Sequence, residues 1–376
     1  MTDRIGVAVI GAGTAGRAHA HGYRSAGTVC GLGLPEVRLV SVADADEDLA
    51  RDAAARYGFE RADSGWQAVA ENPDVDAVSV AVANVRHRDV VTALAAAGKH
   101  VLCERPLAAT TADARAMIDA VERAGVIARV GFTFRRAPGI SALRDQVASG
   151  RLGRPVHFSG HYWTDYGCDP RAPMSWRYRG GPGSGALADL GSHLTDVAEF
   201  LFGPVESVRG ATLVTVVAER PVPLGHVVGN RLAAIGDHRE PVENDDWASF
   251  SLTFESGATG DLSVSRIAFG HPNTLTFEVF GEAGAAAFDA ARPGEFEIAT
   301  TGLAEDSRGF RRVTAGTGFG NRDSFVYQAR AFLDEVAGRE ELPRCASFAE
   351  GLHNLEVLDA AARSATGDWA SVRVTS

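Results

Sequence analysis

The sequence predicts an α/β protein in which a doubly wound parallel sheet is followed by an α/β domain with an open, mainly antiparallel sheet. Two domains are expected because 376 residues exceed the size at which a single core usually stops growing. Residues 1–131 alternate short apolar runs with helical stretches, which is typical of a parallel sheet. In residues 132–376, several segments have apolar residues at every second position, which indicates half-buried antiparallel strands.

The first predicted strand, residues 5–10, is an apolar run that leads directly into a glycine-rich turn. Further runs of strand length follow at residues 37–43, 77–82, 100–103 and 127–131. Helical patterns separate them at residues 45–57, 87–97 and 111–124, and each of these is followed by a glycine, as is usual where a helix ends. These segments predict parallel strands joined by crossover helices.

The second domain is predicted to contain period-two strands at residues 154–163, 205–218, 247–254, 259–267 and 275–280. One helix, at residues 185–202, lies between the first two strands, and two more helices follow at residues 324–337 and 348–366. Residues 220–244 are rich in glycine and proline, which predicts a long surface loop.

Composition and charge limit the classes of partner. A net charge of −11 and a pI near 5.5 argue against nucleic acid or an anionic membrane surface. No stretch approaches the roughly 18–20 apolar residues that a membrane span needs, and we expect no signal peptide. The scattered cysteines suit a cytoplasmic protein and indicate neither a disulfide framework nor a metal site (Cys30, Cys103, Cys168 and Cys345).

The turn at residues 11–16 reads Gly-Ala-Gly-Thr-Ala-Gly, with a strand before it and a helix after it. In this context G-x-G-x-x-G is a dinucleotide-binding fingerprint. Gly11 permits the tight turn, Gly13 lets the backbone approach a pyrophosphate, and Gly16 lets the helix pack against the strand. The start of the helix offers N–H groups to the phosphates, near Thr14 and Ala15. The sequence therefore predicts a Rossmann domain.

Asp44 ends the second strand, where a carboxylate can accept hydrogen bonds from the ribose hydroxyls of adenosine. The same carboxylate would repel the 2′-phosphate of NADP, and no Arg or Lys lies among the next five residues to attract that phosphate. We therefore expect NAD, with NADP less favoured. A helix cap before Ala45 is a second role for Asp44, and the two roles are compatible.

Asp189 and His193 are four residues apart in a helical stretch, so both side chains project from one face. Such a pair suits carbonyl–alcohol redox chemistry, because an imidazole can take the hydroxyl proton while a carboxylate orients the imidazole. Two alternatives stay open at this point. The pair could be a surface or capping interaction, or it could bind a metal together with Asp196, although hydride transfer needs no metal and we expect none.

Three further segments carry a resemblance to a known family, at residues 82–87, 98–107 and 189–193. Together with the glycine-rich turn they resemble the glucose–fructose oxidoreductase / inositol dehydrogenase / MocA family, over residues 5–361. The resemblance implies a Rossmann domain and a second domain whose open sheet forms the interface of a homodimer or homotetramer. Residues 132–138 and 175–177 are similar to the levoglucosan dehydrogenase-like sugar dehydrogenases within that family.

The family carries a Glu-Lys-Pro motif whose lysine lies near the nicotinamide and the reacting hydroxyl, and here the triplet is Glu104-Arg105-Pro106. Arg105 keeps the positive charge but cannot give up its proton, since a guanidinium stays charged. The resemblance implies that Arg105 orients the substrate or stabilises a developing alkoxide. A purely structural arginine at a domain junction is the alternative.

The resemblance also implies that Asp189 and His193 are catalytic and that Asn84 contacts the cofactor; Glu104 and Arg105 are further cofactor-binding candidates. His87 joins the cofactor candidates because it follows the carboxyl end of a strand, where ligands of open α/β sheets bind. Aromatic and charged residues of the second domain are candidates for gripping a sugar ring, although the aromatic ones could equally belong to the core. The substrate candidates are Arg135, Tyr162, Asp165, Trp176, Arg177, Asp189 and His193; Tyr162 is an alternative proton donor to His193.

The function expected from these residues is NAD-dependent hydride transfer at a secondary hydroxyl of a sugar, cyclitol or sugar-like molecule. Two rival hypotheses remain. An enzyme of the same fold could use NAD transiently in hydrolysis or elimination, or the chain could be an NAD-binding regulator without catalysis. Retention of both Asp189 and His193 argues against the regulator.

Overall fold

The computed structural model describes residues 4–31, 33–225, 227, 233–301, 309–316, 318–320, 322–367 and 369–374. The chain divides into two compact units. The first comprises Met1–Arg136 and Asn321–Leu352, and the second comprises Ala137–Gly320 and His353–Ser376.

The first unit is built on a seven-stranded sheet with the order β17-β6-β5-β4-β1-β2-β3. Neighbouring strands are parallel except at one edge, where β17 is antiparallel to β6. The strand order reverses at β1, which lies between β4 and β2, and ligands of doubly wound sheets bind at such a point. The strands are β1 (Arg4–Ile10), β2 (Glu36–Ala43), β3 (Arg61–Asp63), β4 (Ala77–Val80), β5 (His100–Cys103), β6 (Ala128–Val130) and β17 (Ala346–Ser347).

Six helices of this unit lie in the described part of the chain: α1 (Thr14–Ser25), α2 (Glu47–Tyr57), α3 (Trp66–Glu71), α4 (His87–Ala96), α5 (Thr111–Ala124) and α8 (Asp323–Val336). The predicted helix ends agree closely where capping signals are present. The Asp46 carboxylate accepts hydrogen bonds at the start of α2, and Gly58 ends that helix in the left-handed conformation.

Residues 321–352 belong to the first unit, although a division at residue 131 would assign them to the second domain. The physical reason is the packing of α8 against α1. The buried guanidinium of Arg330, paired with Asp334 at 2.8 Å, also donates hydrogen bonds to the carbonyls of Val29 and Gly31. This late segment of the chain therefore fixes the loop that follows α1.

The second unit is built on a nine-stranded sheet with the order β16-β15-β14-β13-β7-β12-β11-β8-β18. All neighbours are antiparallel except β7 and β12, which run parallel, so the prediction of an open, mainly antiparallel sheet is confirmed. The strands are β7 (Pro155–Trp163), β8 (Val205–Val214), β11 (Trp247–Phe254), β12 (Thr259–Ser265), β13 (Thr274–Gly281), β14 (Gly284–Asp289), β15 (Glu295–Thr300), β16 (Arg311–Thr314) and β18 (Val372–Arg373).

The helices of the second unit cover one face of this sheet. They are α6 (Pro138–Ala148) and α7 (Ser192–Phe202), with a π-helical turn at Leu187–Gly191 directly before α7. Phe158 of β7 is fully buried between Phe202 of α7 and Phe277 of β13, at ring distances of 6.1 and 5.3 Å. A further helix, α9 (Phe348–Thr366), contains the division between the two units.

The predicted surface loop at residues 220–244 contains regular structure. Two strands, β9 (Glu219–Pro223) and β10 (Ile235–Pro241), form an antiparallel hairpin there. Proline within both strands hides this pairing in the sequence, since proline normally indicates a loop or an edge strand. Residues 226 and 228–232 of the segment lie outside the described residues.

Candidate active site

The loop between β1 and α1 has room for side chains at only some of its glycines. Gly11 has a φ of +100°, and a Cβ there would lie 2.4 Å from the carbonyl oxygen of Ala81. A Cβ at Gly16 would lie 1.6 Å from the carbonyl oxygen of Gly11, so the helix can approach the loop only with glycine at this position. Both positions therefore behave as the fingerprint requires.

Gly13 differs from the other two because a Cβ there would meet nothing within 4 Å. Gly13 is also the N-cap of α1, where no side chain makes a capping hydrogen bond and the first turn holds no acidic residue. The N–H groups of the first turn and the positive end of the helix dipole thus border open space, next to exposed Thr14 and half-buried Ala15. These residues fit the pyrophosphate of a dinucleotide.

The carboxylate of Asp44, at the end of β2, lies against the same loop. Its Oδ2 accepts a hydrogen bond of 2.7 Å from the N–H of Ala12, and its Oδ1 accepts one of 2.9 Å from the N–H of Asp46. Each carboxylate oxygen has a second lone pair, so Asp44 can still accept hydrogen bonds from ribose hydroxyls. Its side chain therefore joins the glycine loop to the position predicted for the adenosine ribose.

Asn84 and His87 follow β4 and differ in their surroundings. Asn84 is half-buried in a short 3₁₀ turn, whereas the His87 ring is buried, with Nε2 3.0 Å from the Val82 carbonyl oxygen and Nδ1 3.1 Å from that of Leu107. Burial lowers the pKa of His87, and a neutral ring carries one N–H, so it donates to one of these two carbonyls at a time. His87 fixes the segments after β4 and β5, and its direct contact with a cofactor stays a prediction.

Glu104 begins a buried chain of hydrogen bonds within the first unit. Its Oε1 lies 2.9 Å from Nε2 of His19, and Nδ1 of His19 lies 3.0 Å from Oγ of Ser79, which lies 2.7 Å from the hydroxyl of Tyr23. All four residues are less than a tenth exposed. Sequence reasoning missed His19, although its place three residues after Gly16 in α1 is visible in the sequence.

Arg105 follows Glu104 directly, after the carboxyl end of β5, and so lies beside this series of hydrogen bonds. Its backbone N–H donates to Oε2 of Glu104 at 3.3 Å, and its Nε lies 3.8 Å from the same oxygen. The side chain is largely buried, with 19% of its surface exposed. The carboxylate of Glu104 therefore helps to hold the guanidinium of Arg105.

In the second unit, Asp189 and His193 lie on successive turns of one helical segment. Asp189 belongs to the π-helical turn before α7, and His193 belongs to the first turn of α7. Their spacing keeps both side chains on one side of the segment, and π turns often occur at functional sites. His193 is 8% exposed, and its ring meets that of Tyr162 edge-on at 5.8 Å.

Tyr166 and Arg177 are among the side chains that approach the carboxylate of Asp189. The hydroxyl of Tyr166 donates a hydrogen bond of 2.8 Å to Oδ2, and Nε of Arg177 lies 4.0 Å from the same oxygen. The guanidinium of Arg177 also stacks on the ring of half-exposed Trp176 at 4.3 Å. Arg177 was predicted from the sequence, whereas Tyr166 was missed; the only signal for it is its place in the aromatic segment after β7.

The carboxylate of Asp245 fixes the start of the helical segment. One of its carboxylate oxygens accepts hydrogen bonds from the N–H groups of Gly183 at 2.8 Å and Gly185 at 3.1 Å, and the other accepts one from Leu187 at 2.7 Å. Charge-assisted hydrogen bonds of this kind fix a helix start firmly. Sequence reasoning missed this role, because Asp245 lies about sixty residues further along the chain.

Three further residues were predicted to bind the substrate: Tyr162, Asp165 and Arg135. The hydroxyl of Tyr162 donates to Oδ1 of Asn273 at 2.7 Å, and Asp165 is half-buried in the segment after β7. Arg135 belongs to the first unit, where it pairs with Glu350 at 2.7 Å. No grouping of three metal-binding side chains occurs among the residues that the structure describes. Within those residues, no helix combines the length and apolar character of a membrane span.

Comparison with known proteins identifies the family. A model of an oxidoreductase family with an NAD-binding Rossmann fold matches residues 5–132, and a model of the GFO/IDH/MocA C-terminal domain matches residues 140–287. Levoglucosan dehydrogenase of Pseudarthrobacter phenanthrenivorans is 34% identical over 98% of this chain and 98% of its own length. The chain belongs to the GFO/IDH/MocA family of oxidoreductases.

Other members of the GFO/IDH/MocA family are similar over most of the chain. Myo-inositol 2-dehydrogenase of Thermotoga maritima is 30% identical over 90% of this chain and 89% of its own length. A solved structure of levoglucosan dehydrogenase in complex with NADH and L-sorbose superposes with a TM-score of 0.89, at 32% identity and over 100% of both chains. The predicted family, fold class and NAD-binding domain are confirmed.

Proposed function

We propose that this chain is an NAD-dependent dehydrogenase or ketoreductase acting on a secondary hydroxyl of a sugar, cyclitol or sugar-like molecule. The observation that carries the proposal is the Asp189–His193 pair on successive turns of a firmly held helical segment, in a chain that also has an intact dinucleotide loop. Relatives that match along nearly the whole chain are named as levoglucosan and inositol dehydrogenases, which supports this substrate class.

The proposed roles follow from the chemistry of the side chains. NAD, when bound, supplies the hydride acceptor or donor. The imidazole of His193 takes the hydroxyl proton, or returns it in the reverse direction, and Asp189 orients the imidazole or holds a neighbouring hydroxyl. Arg105 stabilises negative charge on the reacting oxygen and does not relay a proton, because its guanidinium stays charged.

Substrate recognition is assigned to Arg177 and Trp176, with contributions from Tyr162, Asp165 and Arg135. The stacked Arg177–Trp176 pair combines an aromatic surface with hydrogen-bond donors, which suits the apolar face and the hydroxyls of a sugar ring. Glu104, Asn84 and His87 are assigned to the cofactor side, together with the loop at residues 11–16. Asp44 is assigned to the ribose, which favours NAD over NADP.

We also propose that the chain is a cytoplasmic homodimer or homotetramer that associates through the open sheet of the second unit, with no nucleic-acid partner. All four cysteines are free, which suits a reducing compartment. We further propose that residues 1–131 form the cofactor domain and that residues 132–376 form the domain for substrate binding and association. Within this division, α8 packs against α1 of the cofactor domain.

The test is to mix the purified protein with NAD⁺ and a panel of anhydrosugars, aldoses and inositols and to record NADH absorbance. Turnover is expected with at least one of these sugars. His193→Ala should lower kcat by about a hundredfold or more, because a general base is removed, while the Kd for NAD⁺ changes by less than about twofold. His238→Ala is the control, since it removes an exposed histidine of β10 in the same unit.

Two results would contradict the proposal. Binding of NAD⁺ without turnover across the whole panel would favour the regulator, and product formation without net NADH would favour transient use of NAD. An active His193→Ala variant would show that the base is assigned wrongly.

A further inference from the structure

Tyr166 lies in the short segment that leaves β7, and its hydroxyl meets the π-helical turn that carries Asp189. The hydrogen bond between the hydroxyl and Oδ2 of Asp189 measures 2.8 Å. A carboxylate can only accept, so the hydroxyl is the donor. The contact therefore joins two separate segments of the second unit at one oxygen of the proposed catalytic carboxylate.

The backbone on both sides of Tyr166 is tied to the end of β12. The N–H of Thr164 donates to the carbonyl of Ser265 at 2.7 Å, and the N–H of Gly167 donates to the carbonyl of Arg266 at 2.7 Å. The carbonyl of Thr164 in turn accepts a hydrogen bond of 2.9 Å from the N–H of Ala268. These bonds leave the Tyr166 backbone little freedom to shift.

The next residues are held by Arg220, whose side chain is fully buried. Its guanidinium donates to the carbonyl oxygens of Gly167 at 2.7 Å and of Asp169 at 2.9 Å. A buried guanidinium that gathers carbonyls in this way costs desolvation, which is offset only if its hydrogen bonds are well placed. The segment that carries Tyr166 is therefore fixed on its far side as well.

The helical segment that carries Asp189, the acceptor of this hydrogen bond, is held by a separate set of contacts. Asp245 accepts three backbone hydrogen bonds at the start of the helical segment, and none of them involves the segment of Tyr166. The 2.8 Å contact thus connects two parts of the unit that are each fixed by other bonds. Such preorganised contacts set the rotation of a carboxylate at no cost during the reaction.

The ionisation of Tyr166 agrees with a permanent donor. Burial raises the pKa of its hydroxyl well above the usual value, and the charge of Asp189 raises it further. The hydroxyl therefore keeps its proton through the neutral range and does not exchange it with the substrate.

We propose that Tyr166 is a positioning residue for the reaction: it donates a hydrogen bond to one oxygen of Asp189 and so fixes the direction of the other. This inference rests on the proposed function, because it requires Asp189 to be part of the acid–base pair. Tyr166 itself is not a catalytic residue, since it acts through Asp189.

The test is Tyr166→Phe, which removes one oxygen and keeps the ring. We expect kcat to fall about ten- to a hundredfold, as for the loss of a hydrogen bond to a charged group, while KM for the sugar and the Kd for NAD⁺ change by less than about twofold. Tyr178→Phe is the matched control. Tyr178 is also buried in this unit, and its ring, which Phe retains, packs against Arg220 at 4.0 Å and Arg266 at 4.5 Å.

A double-mutant cycle separates positioning from a general effect on packing. If Tyr166 acts through Asp189, Tyr166→Phe should cause no further loss of kcat in a chain that already carries Asp189→Asn. Equal losses in both backgrounds would overturn the proposal, as would a Tyr166→Phe enzyme with the kcat of the wild type. An Asp189→Asn enzyme with the kcat of the wild type would instead overturn the proposed function, so the two failures can be told apart.

A spectroscopic measurement tests the contact between Tyr166 and Asp189 directly, and it requires neither enzyme activity nor the Phe variant. A fluorinated tyrosine at position 166 keeps the shape and the hydroxyl, and its absorbance reports ionisation. It should titrate at higher pH in the otherwise unchanged protein than in the Asp189→Asn variant, because a facing carboxylate disfavours the phenolate. The same titration in both proteins would overturn the inference.

Discussion

At the scale of single residues, the carboxylate of Asp44 serves two purposes. It already accepts the N–H of Ala12, so it holds the glycine loop in the conformation that borders open space at Gly13. It is also the group that would meet a ribose or repel a 2′-phosphate. A substitution that removes the whole side chain would disturb both functions, whereas an amide keeps an oxygen to accept the N–H of Ala12 but replaces the oxygen that accepts the N–H of Asp46 with an NH2 group.

We predict that Asp44→Asn folds, with a small loss of stability because the N–H of Asp46 loses its acceptor, and that it loses discrimination between the cofactors. The ratio of kcat/KM for NAD⁺ to that for NADP⁺ should narrow by about tenfold, which corresponds to ~1.4 kcal/mol. Steady-state kinetics with both cofactors measure the ratio. Asp48→Asn is the matched control, since it also removes one negative charge, from an exposed carboxylate of α2. An unchanged ratio in Asp44→Asn would mean that the ribose contact is assigned wrongly.

The residues of the site differ in how visible they are in the sequence. The spacing of Asp189 and His193 placed them on one side of a helical segment, because that relation is local. Tyr166 and Asp245 reach the same segment from residues 23 and about sixty positions away, and each does so through a hydrogen bond that no periodicity encodes. Long-range polar contacts of this kind need the folded chain.

At the scale of elements, local signals also decided what could be predicted. The helix predicted at residues 111–124 was confirmed to the residue, because Thr110 caps its start and Gly125 ends it in the left-handed conformation. The six-residue helix α3 has no side-chain cap and was missed. The hairpin of β9 and β10 was missed because it depends on pairing across a segment rich in proline.

Two helices of the second unit are joined by a titratable contact. Nε2 of His353 in α9 lies 3.0 Å from Oε1 of Glu199 in α7, and its Nδ1 lies 3.8 Å from Glu356 of its own helix. The close contact with the Glu199 carboxylate is the main cause that raises the pKa of His353 above its ordinary value of 6.5, with smaller contributions from Glu356 and from Glu255 after β11. The contact links the helix that carries His193 to α9.

The raised pKa of His353 means that the contact with Glu199 stabilises the folded state more at low pH than at high pH. The charged imidazole stabilises the folded state fully below pH ~6.5, and this contribution is lost as the pH rises through the higher pKa of the folded protein. We predict that Tm falls between pH 6 and pH 8 by about 2 °C more in the wild type than in His353→Gln. Thermal unfolding at several pH values measures this, with the exposed-site variant His238→Gln as control. Parallel pH profiles for the wild type and His353→Gln would contradict the prediction.

At the scale of the whole molecule, helices cover one face of the nine-stranded sheet, and none of the helices in the described residues covers the other face. The uncovered face carries an aromatic cluster around Trp163, whose ring stacks on His161 at 3.8 Å and lies 6.2 Å from Trp247. An aromatic cluster on a sheet face that no described helix covers supports the proposal that a second copy of the chain packs against this face.

The association of copies can be tested at Ser159, an exposed residue in the middle of this face. Its neighbours across β7 are Asp261 of β12 and Glu278 of β13, so an arginine at position 159 would sit between two carboxylates and the fold of one copy would tolerate it. The same guanidinium would obstruct a second sheet packed against this face.

We predict that the wild type has the mass of a dimer or tetramer in light scattering coupled to gel filtration, and that Ser159→Arg shifts this mass toward that of the monomer. Ser256→Arg, in the exposed turn between β11 and β12, should leave the mass unchanged. A monomeric wild type, or a Ser159→Arg variant with the mass of the wild type, would show that the open sheet is not the interface.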